Sequence, residues 1–157
     1  MKQQTKELIW FNGKIVSLEE ATINIMTTTA QYGVNVFEGT RCYYDEITEK
    51  LYAFRLKDHI ERLFISAKLL KFELESHIDI EYITNAVKNV IKANDYHEDI
   101  YVKIGFYLDG IGSWSNKGPV GLFVAAFPKG REFSDKMGIT CSVSSWQRIS
   151  DSLMPPR

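Results

Sequence analysis

Residues 99–108 read Asp99-Ile100-Tyr101-Val102-Lys103-Ile104-Gly105-Phe106-Tyr107-Leu108, and this stretch decides the fold. Successive side chains of a strand point to opposite sides of the sheet. The even positions Ile100, Val102, Ile104, Phe106 and Leu108 are uniformly apolar, so that side must face a core. The odd side carries Tyr101, Lys103, Gly105 and Tyr107. Two readings of that side are open. It is a half-exposed surface on which Tyr and Lys reach for water over their apolar stems, or it is a wall suited to an anionic small molecule.

Working outward, residues 109–119 form a Gly-containing loop, and residues 120–127 are almost wholly apolar, as a buried central strand should be. Pro128-Lys129-Gly130 breaks the pattern, and charged residues follow to Lys136, which suits a linker. Upstream lie two amphipathic helices. Ile60, Leu63, Phe64 and Ala67 make the apolar stripe of one, opening near Asp58; Ile80, Ile83, Val87, Val90 and Ile91 make the stripe of the other. Further upstream, residues 36–43 read as a strand with Phe37, Gly39, Arg41 and Tyr43 on one side and Val36, Glu38, Thr40 and Cys42 on the other. A polar turn at 45–50 returns it as residues 51–54. Residues 8–11 and 14–17 flank Asn12-Gly13, a strong hairpin signal.

The pattern predicts an α+β fold. A small N-terminal domain at residues 1–128 has a mainly antiparallel sheet and two helices. A linker at 129–137 and the start of a larger domain at 138–157 follow. A strand is expected at 139–145, with no later helix to cover it before Arg157.

Composition removes several function classes. Hydrophobic residues make up 45% and charged residues 25%, as in ordinary globular cores. Lys plus Arg (19) nearly balance Asp plus Glu (20), so nucleic acid and anionic membrane are not expected partners. No apolar run approaches a transmembrane span. Cys42 and Cys141 lie far apart and make no metal motif, and His59, His77 and His97 lack ligand spacing, so no metal is expected. A reducing, cytoplasmic setting fits this cysteine usage. Asp109-Gly110-Ile111-Gly112 is neither a phosphate loop nor a dinucleotide fingerprint. Ser144-Ser145-Trp146 is no nucleophile elbow.

Arg62 lies opposite the apolar stripe of its helix. It is either a solvated arginine paired with Asp58 at i,i+4, or a phosphate ligand, for which a guanidinium fork is well shaped. Periodicity does not choose.

Taken in order, several segments resemble the class IV, or fold-type IV, pyridoxal-phosphate aminotransferases, and among them the branched-chain type. They are Ile9-Trp10-Phe11-Asn12-Gly13, Tyr32-Gly33, the run from Val36 to Tyr43 with Glu38-Gly39-Thr40-Arg41 inside it, and Phe54-Arg55-Leu56 with His59 and Arg62-Leu63. Ser66-Ala67-Lys68, Tyr101-Val102-Lys103, Ala125-Ala126-Phe127-Pro128 and Ser144-Ser145-Trp146 with Arg148 complete the series. The resemblance implies pyridoxal 5'-phosphate as cofactor, with Arg62 on its phosphate. It implies a side-chain pocket lined by Phe37, Gly39, Arg41, Tyr101 and Lys103. It also implies a homodimer or higher homo-oligomer, in which Tyr32, Trp114 and Ser115 reach the neighbouring subunit's site. The implied reaction is amino transfer between branched-chain amino acids and 2-oxoglutarate, as in branched-chain amino acid biosynthesis. The alternatives are a class IV aminotransferase of other specificity and a non-catalytic assembly module.

Two positions depart from the family pattern. Lys103 stands where an arginine is frequent, keeping the charge but losing the bidentate fork. Lys129 stands where a tryptophan often follows Phe-Pro. In the family, a segment like Leu153-Met154-Pro155 is soon followed by the lysine that holds the cofactor. That residue is expected beyond Arg157, so no catalytic residue is assigned here and the 157-residue chain alone is expected to be inactive.

Overall fold

The structure, a computed structural model, describes residues 7–130, 140–147 and 149–150. Strands β1 (Leu8–Phe11) and β2 (Lys14–Ser17) pair antiparallel across Asn12 (φ 45°) and Gly13 (φ 90°). Two consecutive positive φ values are what a tight hairpin of this hand requires, and Asn-Gly supplies them at least cost. Helix α1 (Thr28–Tyr32) follows, then β3 (Asn35–Asp45) and β4 (Lys50–Ala53). Next come α2 (Leu56–Leu69), α3 (Ile80–Asn94), β5 (Ile100–Leu108) and β6 (Val120–Pro128).

The six strands form one antiparallel sheet in the order β2-β1-β6-β5-β3-β4. The apolar run expected to be central is central: β6 lies between β1 and β5. Helices α2 and α3 cover one side. Ile60, Leu63 and Ala67 of α2 and Ile83, Val87 and Val90 of α3 meet Ile100, Val102, Ile104 and Phe106 of β5, all buried. Each such large side chain contributes about 1.5–3 kcal/mol by leaving water. Cys42 lies in this core, and burial pushes its thiol up to about 11.

The structure adds to the expected elements. Helix α1 makes three helices rather than two among the described residues; its single turn is too short to show a period. Its ends are nevertheless marked, by Thr27 Oγ1 accepting from Ala30 N at 3.3 Å and by Gly33 at φ 67°. Helix α2 opens at Leu56, two residues before Asp58, directly after Arg55, whose left-handed backbone (φ 51°) cannot be part of the helix; Asp58 in the first turn pairs with Arg55 (2.5 Å). The described part of the expected 139–145 strand, residues 140–145, forms no strand; positions 131–139, 148 and 151–157 lie outside the described residues. Among the described residues no helix is long and apolar enough to cross a membrane.

Candidate functional site

Among the described residues neither α2 nor α3 covers the sheet's other face, and register brings the expected pocket residues together on it. Phe37 stands opposite Gly105, Gly39 opposite Lys103, and Arg41 opposite Tyr101. Beyond β5, Lys103 faces Ala125 and Tyr101 faces Phe127. The five residues expected to line a pocket, Phe37, Gly39, Arg41, Tyr101 and Lys103, therefore form one patch on adjacent strands.

Its local geometry follows from the missing side chain at Gly39. The Tyr101 ring lies across β3 so closely that a Cβ at position 39 would sit 1.6 Å from its hydroxyl. Phe127 packs on the same ring, centroid to centroid 5.4 Å, and Lys129 Nζ lies 5.4 Å above it. Lys103 Nζ lies 4.5 Å from the Phe37 ring, within cation–π range. Arg41 leans over Tyr43 at 6.0 Å and donates from Nη2 to the Gly130 carbonyl at 2.8 Å. Phe37 is 56% exposed, an unusual state for a phenylalanine set between a glycine and a cation.

Arg62 stands apart from these five, on the helix side of β3. Its partner is Glu38, not Asp58. Nε donates to Glu38 Oε1 at 2.5 Å and Nη2 to Oε2 at 2.6 Å, a bidentate pair. His59 Nδ1 lies 2.9 Å from the same Oε2. Burial alone raises the Glu38 carboxyl, but hydrogen bonds and charge from Arg62 and His59 outweigh it and hold the group below its usual range. Arg62 is itself largely exposed and retains donors that Glu38 does not use, since a guanidinium has five. Its location also matters. Strand β4 pairs only with Cys42 to Asp45, so the outer edge of β3 beside Glu38 has no strand partner among the described residues.

Tyr32, Trp114 and Ser115 gather at the opposite end of β5. The loop after β5 is tied to α1 by Thr28 N donating to Gly110 O (3.0 Å) and by a bridge between Thr27 and Ile111. Asn116 Nδ2 donates to Thr28 Oγ1 (3.4 Å), and Leu108 N to Thr29 Oγ1 (2.7 Å). Tyr32 and Trp114 are exposed, as are Ile25 and Met26 in the segment before α1 and Ile111 in the segment after β5. Ser115 Oγ lies 2.8 Å from Ser113 Oγ.

Sequence reasoning did not assign the Glu38–His59–Arg62 cluster. The signal was available: strand parity puts Glu38 among Val36, Thr40 and Cys42, and a carboxylate facing a core needs a cation. Lys129 was legible as a departure in the pocket, but its position over Tyr101 was not.

The sequence profile described as amino-transferase class IV matches residues 35–157. Over its whole length the chain is 32% identical to the probable branched-chain-amino-acid aminotransferase of Aquifex aeolicus, covering 50% of that protein. It is 32% identical to the Escherichia coli K12 branched-chain-amino-acid aminotransferase, with 99% of the chain and 50% of the relative aligned. Among solved structures it superposes on the branched-chain aminotransferase from Thermoproteus uzoniensis with norvaline (TM-score 0.83, 34% identity, 96% of this chain and 50% of that one). It also superposes on the T.th. branched-chain amino acid aminotransferase complexed with N-(5'-phosphopyridoxyl)-L-glutamate (TM-score 0.81, 31% identity, 98% and 50%). The chain thus spans about half the length of these relatives. With its antiparallel sheet and its profile match from β3 onward, the chain belongs to the class IV aminotransferase family.

Proposed function

We propose that this chain is the small-domain half of a pyridoxal-phosphate aminotransferase that moves an amino group between branched-chain amino acids and 2-oxoglutarate. The observation that carries the reading is the co-facial register of Phe37, Gly39, Arg41, Tyr101 and Lys103 on the side of the sheet that α2 and α3 leave uncovered. The relatives' names and the phosphopyridoxyl-glutamate held by one of them support the substrate and cofactor classes. When bound, pyridoxal phosphate supplies the electron sink for breaking the bond between the α-carbon and its hydrogen. The lysine that moves the α-proton is expected from the half of the relatives' length that this chain does not span.

This chain's own residues then have three tasks. Arg62, oriented by Glu38, holds the cofactor phosphate with the donors Glu38 leaves over, at the unpaired edge of β3. Phe37, Tyr101 and the floor at Gly39 enclose the substrate side chain and exclude water. Lys103 meets a side-chain carboxylate when glutamate is the amino donor. Residues 138–157 begin the larger domain, and the setting is cytoplasmic. A second copy completes each site: the exposed Ile25, Met26, Tyr32, Ile111 and Trp114 support a homodimer in which Tyr32, Trp114 and Ser115 approach the neighbour's pocket.

Cofactor retention tests this reading. In the enzyme that contains this chain, Arg62→Ala should lose pyridoxal phosphate on dialysis at least about tenfold faster than wild type, a charge-assisted phosphate contact having gone. Far-UV circular dichroism should be unchanged, because Arg62 lies outside the buried stripe and His59 still pairs with Glu38. Equal retention would remove Arg62 from the site.

A further inference from the structure

The charged side chains around the start of α2 are used in two ways. Arg55 pairs with Asp58, and Lys57 with Glu61, along the helix surface. His59 and Arg62 instead reach across to one acceptor on β3, the Glu38 carboxylate. Standing at i and i+3, they lie on the same side of the helix. Glu38 is buried and both its oxygens are engaged. Oε1 accepts from Arg62 Nε, while Oε2 meets Arg62 Nη2 at 2.6 Å and His59 Nδ1 at 2.9 Å. Burial works to raise the Glu38 carboxyl, yet its bonds to Arg62 and His59 keep it ionised. An ionised carboxylate only accepts, so His59 carries its hydrogen on Nδ1.

The phosphate anchor gains from this third partner. A guanidinium closed on a carboxylate is a neutral pair, and such a pair attracts an anion weakly. A second donor on Oε2 draws part of the carboxylate's charge away from the Arg62 fork and fixes the carboxylate plane.

We propose that His59 is a positioning residue for the phosphate anchor. By holding Glu38 Oε2 from the helix side, it sets the Arg62 fork so that the donors Glu38 leaves over meet the cofactor phosphate. It acts through Glu38 and Arg62, not on the reacting atoms. This deepens the aminotransferase reading and rests on its placing of the phosphate at Arg62.

Taking the phosphate off the ligand separates this role from ordinary packing. The apo form of the enzyme that contains this chain is titrated with pyridoxal 5'-phosphate, and separately with pyridoxal, which lacks the phosphate. Equilibrium binding is read by absorbance. His59→Ala should weaken pyridoxal 5'-phosphate about fivefold or more, as the loss of a charge-assisted hydrogen bond does, and leave pyridoxal unchanged. His59→Phe, which keeps a ring and loses the donor, should lose as much, and it stands in where the smaller residue unfolds the protein. An asparagine side chain carries an N–H close to the Nδ1 position. His59→Asn should therefore bind pyridoxal 5'-phosphate within about twofold of wild type. Equal losses for both ligands, no loss, or no rescue by His59→Asn would overturn the proposal. The aminotransferase reading fails separately. An Arg62→Ala protein that still prefers the phosphorylated ligand would sink the placing of the phosphate. Loss of that preference in Arg62→Ala, but in neither His59→Ala nor His59→Phe, would sink this inference alone.

Discussion

The face that α2 and α3 leave uncovered has two halves built with the same device and put to different ends. At one end Tyr107 lies over Gly121 and Phe123 over Gly105, each ring occupying the space a Cβ would fill. Phe11 stacks on Tyr107 at 5.8 Å, and Asn12 Nδ2 donates to the Tyr107 hydroxyl at 2.8 Å. Asn12 Oδ1 in turn accepts from Leu122 N at 2.9 Å. Tyr107 is left 3% exposed. At the other end Tyr101 lies over Gly39 in the same way, but among the described residues no side-chain hydrogen bond pins it, and cations and exposed rings surround it. Rings over glycines make a sealed plate when their polar tips are tied down. Left untied beside charges, they make a surface that a ligand can reorganise.

The sharpest way to break that comparison is to add the same methyl group to both halves. Gly121→Ala places a Cβ 2.2 Å from a Tyr107 ring that burial and Asn12 hold in place. It should cost about 2 kcal/mol in urea unfolding, as overpacking does. Gly39→Ala drives a similar clash into the half-buried Tyr101, where the nearest atom is the hydroxyl at the far end of a side chain, so its cost should stay below about 1 kcal/mol. Its effect should instead appear as weakened ligand binding on that face. Similar stability losses at the two sites would mean that the halves are equally rigid.

A smaller effect sharpens the sealed half. Burial pushes the Tyr107 phenol up to about 12, with Asn12 partly opposing and Asp109 adding to the rise. The folded state thus favours the neutral phenol. Its contribution is complete below the unfolded value of about 10 and is lost as pH climbs from there toward the folded one. Wild-type stability should fall between these values more steeply than that of Tyr107→Phe. At neutral pH the same substitution should cost about 1 kcal/mol for the lost Asn12 contact. Parallel alkaline profiles for the two proteins would place the Tyr107 hydroxyl in water.

Most of the sheet was legible because strand parity needs only a list of apolar positions. Ile100 to Leu108 and Val36 to Cys42 state which side faces the core, and those positions are buried; Gly105 and Tyr107 on the opposite side are buried as well, with Phe11 and Phe123 against the Tyr107 ring. Asn12-Gly13 fixed the first hairpin through backbone chemistry alone. Helix α1 escaped because one turn has no period, though Thr27 and Gly33 bracket it. Of the site, parity grouped Phe37, Gly39 and Arg41, and Tyr101 with Lys103, but it is silent on contacts across elements. The partner of Arg62 is 24 residues away on another element, so i,i+4 reasoning found Asp58 and missed Glu38. The pairing of rings with glycines was hidden for the same reason: a glycine in a strand does not announce which neighbour crosses it.

The measurement closest to the central claim concerns Lys103, which stands over Phe37 in the open half. In the enzyme that contains this chain, the half-reactions with glutamate and with leucine are compared for Lys103→Met and Lys103→Arg. The account predicts that Lys103→Met slows the glutamate half-reaction about tenfold or more, the loss of one charge-assisted contact. The leucine half-reaction should be nearly unchanged, and Lys103→Arg should preserve or improve the glutamate one. Equal losses on both substrates for Lys103→Met would contradict the account and return this face to ordinary sheet surface.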